Sequence, residues 1–336
     1  MKSRADWILG ELSRKAGVRP LVILMTSTHP MTDRNLCHTG HQIYNLDIPQ
    51  FPIKWHREPN AFIPENMHII GSIDELPCRP DVIISQNIVD QFNTWVGISR
   101  VFDCPILCFE HTLPTSEWHS AEIPGKLRTD LRLFQRAFIT DFSKADWKCM
   151  GDENAHTILH MIDTNKYKDW LGGNGRAAVL VNAFASRRWA VGDVEALLTL
   201  DEGKRIDLFG HNPGYKSLPL SPSDVIKVLQ DYDVFVNTSL RSPIPAALLE
   251  AAAIGTPIVT TASCEIPTHF INEVNCLTFT TFEECIQQVD RLLADKPLRK
   301  KLGAAARETV IANFNQERYV KDWNKVLQRT METYNG

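Results

Sequence analysis

The sequence predicts an α/β protein built from doubly wound parallel sheets in two domains of similar size. Short runs rich in Val, Ile and Leu recur along the chain, and most are continuous rather than alternating, as in strands covered by helices on both faces. Helical patterns lie between these runs, the order expected of parallel sheets with helical crossovers. The chain has 336 residues, more than a single hydrophobic core usually accommodates, so two domains follow.

The predicted strands, in order, are PLVILMT (20–26), PDVIISQ (80–86), CPILCFEH (104–111), AFITDFS (137–143), AAVLVNAF (177–184), RIDLFGH (205–211), YDVFVNTS (232–239) and TPIVTTA (256–262). Helical patterns include GKLRTDLRLFQRAF (125–138), DVEALLTL (193–200), PSDVIKVLQ (222–230) and TFEECIQQVDRLLAD (281–295). The alternation breaks in the glycine-rich, polar stretch KYKDWLGGNGRAA (166–178), which reads as an interdomain linker. Residues 1–170 are thus expected to form one domain and residues 171–314 a second. Residues 315–336 are expected to form a long helix, with Tyr319, Trp323 and Leu327 four residues apart, packing back on the first domain.

Hydrophobic residues at 43% and charged residues at 23% are ordinary globular values, and a net charge of −4 gives no strong field toward nucleic acid or an anionic membrane. No stretch approaches the roughly 20 apolar residues of a membrane span, and the first residues lack the apolar core and cleavage site of a signal peptide. A soluble, cytoplasmic protein is expected. The eight cysteines show no paired C-x-x-C spacing and read as buried free thiols. Cys104 and Cys108, four apart on a predicted strand, are too far apart to share an ion. No metal site is expected.

The chemistry concentrates after the strand YDVFVNTS. Ligands of open α/β sheets collect beyond the carboxyl ends of the strands. Here the loop LRSPIP leads into the helix AALLEAAAIG, which stops at Gly255 with Pro257 beyond. The helix start offers free N–H groups and a partial positive charge to a phosphate or a sugar hydroxyl. Glu250 lies within that helix among Leu and Ala. A carboxylate so placed needs a partner: either two adjacent ribose hydroxyls, or a buried backbone group or arginine.

The segments DVFVNTSLRSPIPAALLEAAAIGTPIVTTASCEIP and LLADKPLRKKLGAAARETVIANFNQERYVKDW resemble the C-terminal domain of retaining nucleotide-sugar glycosyltransferases of GT-B architecture, two Rossmann-like domains facing a cleft. The resemblance spans roughly residues 178–330 and is loose in the first half. It implies transfer from a UDP- or GDP-type sugar to an acceptor hydroxyl with retention, the nucleotide sugar being a co-substrate and no cofactor or metal being used. It assigns the donor ribose to Glu250. The first glutamate of the family pattern falls on Ser242, and Pro243, Ile244 and Pro245 replace the usual loop after it. Arg187 and Arg188 stand where the family holds the pyrophosphate, although its following lysine is Val191 here; the alternative is two solvated arginines. His211 and Asn212 in FGHNPG stand near the nucleotide base, or His211 is a turn residue. His111, at the end of CPILCFEH, matches a histidine that contacts the donor sugar or reaction centre, or it is structural. With Ser242 it forms the expected catalytic pair. Gly40 in CHTGHQIY, before a helical pattern, matches a phosphate-side loop, with His38 and His41 as weaker signals, and the group SQN (85–87) lies on the same edge as His111.

The alternatives are a sugar-nucleotide epimerase and an inactive nucleotide-sugar-binding protein. An NAD-linked enzyme is disfavoured because no G-x-G-x-x-G follows the first strand of either half. The acceptor is a saccharide or lipid-linked glycan, or a hydroxymethylated DNA base, since the chain also resembles glycosyltransferases of viruses and environmental bacteria. For DNA, Arg128, Arg132 and Arg136 are spaced to share one face of a helix and follow a phosphate backbone.

Overall fold

The computed structural model describes residues 20–49, 55, 62–86, 88–114, 134–167, 169–218 and 221–334. The chain divides into two compact units. The first comprises residues 1–160 with 317–336, and the second residues 161–316. The chain therefore passes between units before the glycine-rich stretch. That stretch is hydrogen-bonded into the second unit: the Asp233 carboxylate accepts from the N–H groups of Gly173 and Gly175 at 2.8 and 2.7 Å.

The first unit holds a seven-stranded parallel sheet of order β3-β2-β1-β4-β5-β6-β7. Its strands are β1 (Val22–Met25), β2 (Gln42–Leu46), β3 (Met67–Ile70), β4 (Val82–Gln86), β5 (Ile106–Glu110), β6 (Gln135–Phe138) and β7 (Ala155–Thr157). The continuous apolar runs form its centre: every residue of β1, β4 and β5 is buried. Helix α1 (Pro30–Leu36) follows β1, and α2 (Ile88–Phe102) follows β4. Trp95 of α2 is fully buried among Val22, Leu24, Ile83 and Ile106. The unit closes with the C-terminal helix α8 (Gln316–Glu332), whose Trp323 packs edge-on against Phe109 of β5 at 5.0 Å.

The second unit holds a five-stranded parallel sheet of order β12-β11-β10-β8-β9. It consists of β8 (Ala177–Leu180), β9 (Ile206–Phe209), β10 (Val234–Asn237), β11 (Ile258–Thr261) and β12 (Leu277–Phe279). Its helices are α3 (Val194–Asp201), α4 (Pro222–Asp231), α5 (Ala246–Ile254), α6 (Phe282–Ala294) and α7 (Lys296–Asn313), and α8 spans Gln316–Glu332. Thr281 starts α6 with a capping box against Glu284. Most of helix α5 is buried, which explains why Ala, Leu and Ile fill it apart from Glu250. It stops at Gly255, whose φ of +87° an L-side chain rarely adopts. A Cβ on Gly303 of α7 would lie 2.0 Å from the Gly255 carbonyl, so this pair sets how closely the two backbones approach.

Two predicted elements are corrected. Residues 135–138 are strand β6, so the predicted helix 125–138 does not reach its end; residues 125–133 lie outside the described residues. The predicted strand 137–143 ends at Phe138, and Thr140 caps a short helix, Asp141–Asp146, with Ser143. The Thr140 hydroxyl takes the Ser143 N–H at 2.9 Å, so the polar half of that run is a helix start. The cysteines are all free, and all but Cys264 are buried. Burial pushes the Cys37, Cys276 and Cys285 thiols up to about 12, which keeps them protonated and unreactive. Among the described residues no helix is long and apolar enough to cross a membrane.

Candidate active site

In a parallel sheet the loops after the strands gather at one edge, and each unit concentrates polar side chains there. In the second unit, helix α5 begins at Pro245, which has no side chain able to cap the first N–H groups. Its amino end therefore has no capping side chain among the described residues. Glu250, on the next turn, remains partly accessible. Burial pushes its carboxyl up to about 7, and a hydrogen bond from Tyr167 partly offsets that. The Tyr167 hydroxyl donates to Oε1 at 3.3 Å. Burial, together with the neighbouring carboxylate, raises the Tyr167 hydroxyl in turn. The partner of Glu250 is thus a tyrosine, not the arginine or backbone group allowed by the sequence. Its Oε2 makes no hydrogen bond among the described residues. Arg307 holds the far end of the helix by donating to the Ala253 carbonyl, where the dipole favours a cation.

The loop into α5 is fixed from below. Pro243 and Ile244 are buried, and the Glu265 N–H donates to the Pro243 carbonyl at 3.3 Å. Pro243 and Ile244 therefore serve as anchors, while Ser242 and Pro245 keep partial exposure. The loop after β8 separates the two arginines. Arg188 pairs with Asp193 at 3.4 Å and with Glu195, and Asp193 chiefly raises its pKa. Arg187 is exposed and makes no ion pair among the described residues. Of the two, Arg187 is the guanidinium open to an anion.

The loop after β9 is a scaffold for the loop after β8. Asn212 is buried, donates through Nδ2 to the Val181 carbonyl at 2.8 Å, and accepts the Phe184 N–H at 3.3 Å. Its amide ties the two loops together through one donor and one acceptor, a structural task beside its expected role at a nucleotide base. Only glycine fits at position 210: its φ is +113°, and a Cβ there would lie 2.1 Å from the Val181 carbonyl oxygen. His211 is exposed, with its N–H bound to Asn182 Oδ1 at 2.7 Å.

In the first unit the corresponding edge is a connected network. His111 follows β5, and its Nε2 lies 2.7 Å from Thr28 Oγ1 in the loop after β1. Thr28 donates to Gln86 Oε1, at the end of β4, at 2.5 Å. Gln86 Nε2 donates to the Thr26 carbonyl and to Asp33 Oδ1, both at 3.1 Å. Asp33 also accepts from Ser27 and, at 3.2 Å, from Trp55 Nε1. Burial raises the Asp33 carboxyl to about 6. Burial, with His29 beside it, lowers His111 to about 4. His160 is lowered to about 3 by burial first, then by His111, His29 and Arg318. At neutral pH this edge holds neutral imidazoles around a buried carboxylate.

Three expected features do not belong to these edges. Gly40 does not precede a helix: with φ +79° it ends the turn Cys37–Thr39 that continues α1, and β2 follows. It therefore lies at the amino ends of the strands, opposite His111, which removes it from a phosphate loop. His41 is there too, its Nδ1 accepting the Leu21 N–H at 3.3 Å. Arg136 is on strand β6, buried, paired with Asp152 and bonded to Cys149 Sγ at 3.0 Å. It cannot share a helical face with Arg128 and Arg132, which lie outside the described residues. Asn87 of the SQN group also lies outside them. Among the described residues no group of three His, Cys, Asp or Glu could hold a metal ion.

Sequence reasoning missed Tyr167, which sits in the stretch read as a linker, and the set Thr28, Asp33, Trp55 and His160. A signal existed for Thr28: a predicted apolar strand ending in the polar run TSTH.

The chain resembles known proteins in both sequence and fold. Residues 187–325 match the family model described as glycosyl transferase-like. A stretch of 97 residues is 31% identical to the lipopolysaccharide core biosynthesis glycosyltransferase LpsE of Rhizobium meliloti (strain 1021), covering 28% of this chain and 28% of LpsE. The match thus spans less than a third of that relative's length. The fold is similar to a glycosyltransferase from Rickettsia africae ESF-5 at TM-score 0.72 and 13% identity, covering 95% of this chain and 100% of that one. It is also similar to Anabaena HepE, whose crystal structure is a complex with UDP and glucose, at TM-score 0.69 and 13% identity, covering 92% and 100%. The α/β fold with parallel sheets is that of glycosyltransferases of GT-B architecture.

Proposed function

We propose that the protein is a glycosyltransferase that moves a sugar from a UDP- or GDP-type donor to an acceptor hydroxyl with retention. The observation that carries this is Glu250: a carboxylate in the helix behind an uncapped amino end, held through one oxygen by Tyr167 and open through the other. Such a carboxylate accepts hydrogen bonds from two adjacent hydroxyls, as a ribose presents them, and such a helix end takes a phosphate. The fold likeness to HepE, crystallised with UDP and glucose, supports a nucleotide-sugar donor.

In this reading Glu250 holds the donor ribose, and Arg187 with the amino end of α5 neutralises the departing pyrophosphate. Ser242 supplies a hydroxyl where the family pattern has a carboxylate, and His111, at the edge of the first unit, meets a substrate hydroxyl. Retention follows from same-face attack, with the departing phosphate taking the acceptor proton. No metal or cofactor takes part. Sequence likeness to LpsE supports a saccharide or lipid-linked acceptor. The DNA-base acceptor loses its main support, because Arg136 is committed to Asp152 inside the first unit.

The test is a panel of UDP and GDP sugars incubated with and without candidate acceptors. Release of the nucleoside diphosphate, with the product's anomeric configuration read by NMR, is expected for one donor. A donor that is converted into its epimer would favour the epimerase alternative. Binding without any release would favour the inactive-binder alternative.

A further inference from the structure

The first unit contains a hydrogen-bond chain whose directions are fixed from one end. Gln86 is 1% exposed, and its Nε2 lies 3.1 Å from two acceptors, the Thr26 carbonyl and Asp33 Oδ1. Turning the amide over would set its oxygen against both, so Nε2 is the donor there and Oε1 faces Thr28. Oε1 has no proton to give, so at 2.5 Å the Thr28 hydroxyl must donate to it. Thr28 has a single hydroxyl proton. Its 2.7 Å contact with His111 Nε2 must therefore use a proton carried by the histidine.

We infer that Thr28 and Gln86, anchored by Asp33, are positioning residues that hold His111 in its Nε2–H tautomer and so present Nδ1 as a hydrogen-bond acceptor. Nδ1 makes no hydrogen bond among the described residues. The group that meets it must be a donor, and on the glycosyltransferase reading, on which this rests, that donor is a hydroxyl of the sugar or the acceptor. His111 then orients a hydroxyl; it does not donate to the leaving phosphate. The low basicity of the imbedded ring agrees with a neutral acceptor. Asp33 acts at a distance by fixing the amide of Gln86, and Ser27 and Trp55 fix Asp33.

The experiment is 15N NMR of the full chain labelled at histidine, near neutral pH and without ligand, with His111 assigned by its loss in H111Q. The wild type should show His111 predominantly as the Nε2–H tautomer. T28V removes the acceptor and should shift His111 toward a mixture with the Nδ1–H form, while T28S, which keeps the hydroxyl, should retain the wild-type signature. A wild-type His111 in the Nδ1–H form, or a T28V spectrum unchanged at His111, would overturn the inference. Should T28V fail to fold, the wild-type and T28S spectra still decide it. Because no substrate is present, the result is separate from the donor-panel test. If turnover is found there, T28V should lower it roughly tenfold, the effect of losing one hydrogen bond, with T28S restoring it.

Discussion

The two sheet edges use the same architecture to opposite ends. At the edge of the first unit Asp33, Gln86, Thr28 and His111 form one hydrogen-bonded chain, with the carboxylate buried at its closed end and, among the described residues, only His111 Nδ1 left over at the other. At the edge of the second unit the groups are left incomplete. Arg187 has no carboxylate partner among the described residues, Glu250 has one bonded oxygen, and α5 has no capping side chain. A closed network rigidifies and orients, whereas an open set of donors and acceptors is completed by a ligand. The difference separates a region that positions from a region that binds.

The largest effect expected from a single change tests the closed unit. R136A leaves a hole in the core beside Asp152 and should destabilise the fold by about 2–4 kcal/mol, less than the full cost of breaking a buried pair because Asp152 keeps partial access to water. Chemical denaturation measures it. A near-neutral result together with loss of salt-sensitive DNA binding would return Arg136 to a nucleic-acid role.

At the open edge the neighbouring arginines should behave differently. R187A is expected to weaken UDP binding by about 1.5–3 kcal/mol, the value of a hydrogen bond to a charged group. R188A should change it by well under 1 kcal/mol, because that side chain is committed to exposed carboxylates. Titration calorimetry on the two variants gives the contrast, and equal losses would erase it.

Acid should drive the two edges in opposite directions. Glu250, raised to about 7, binds protons more readily in the folded state, so its contribution to stability falls as pH rises from about 4.5 to 7. E250Q should therefore gain on the wild type over that window. His111, lowered to about 4, gives stability that is present above about 6.5 and lost as pH falls toward 4. H111Q should gain on the wild type as acid is added. Each effect is at most about 3 kcal/mol, and partial exposure reduces it. Parallel pH profiles for E250Q and H111Q would contradict the assignment.

What the sequence made legible follows the same division. The buried centres of both sheets announce themselves as continuous apolar runs, because a strand covered on both faces has no polar period. Strands β3, β7 and β12 lie at sheet margins and are three or four residues long, so MHII, AHT and LTF carry little signal. Strand β2, QIYNL, is broken by Gln42 and Asn45. Glu250 could be found because a lone carboxylate in an Ala and Leu helix violates local expectation. Tyr167 could not, since nothing local marks a tyrosine that meets its partner 83 positions along the chain. The spacing of Arg128, Arg132 and Arg136 misled because a period of four is also produced where a segment ends and a strand begins.

The open edge of the second unit should bind a nucleotide through Glu250. Thermal unfolding of the wild type and E250A, with and without UDP or GDP, tests it most directly. A nucleotide at about a hundred times its Kd should stabilise the wild type by about 2.7 kcal/mol, raising its melting temperature, and E250A should fold yet lose that rise. A folded E250A that keeps the full shift, or a wild type that responds to neither nucleotide, would contradict the account.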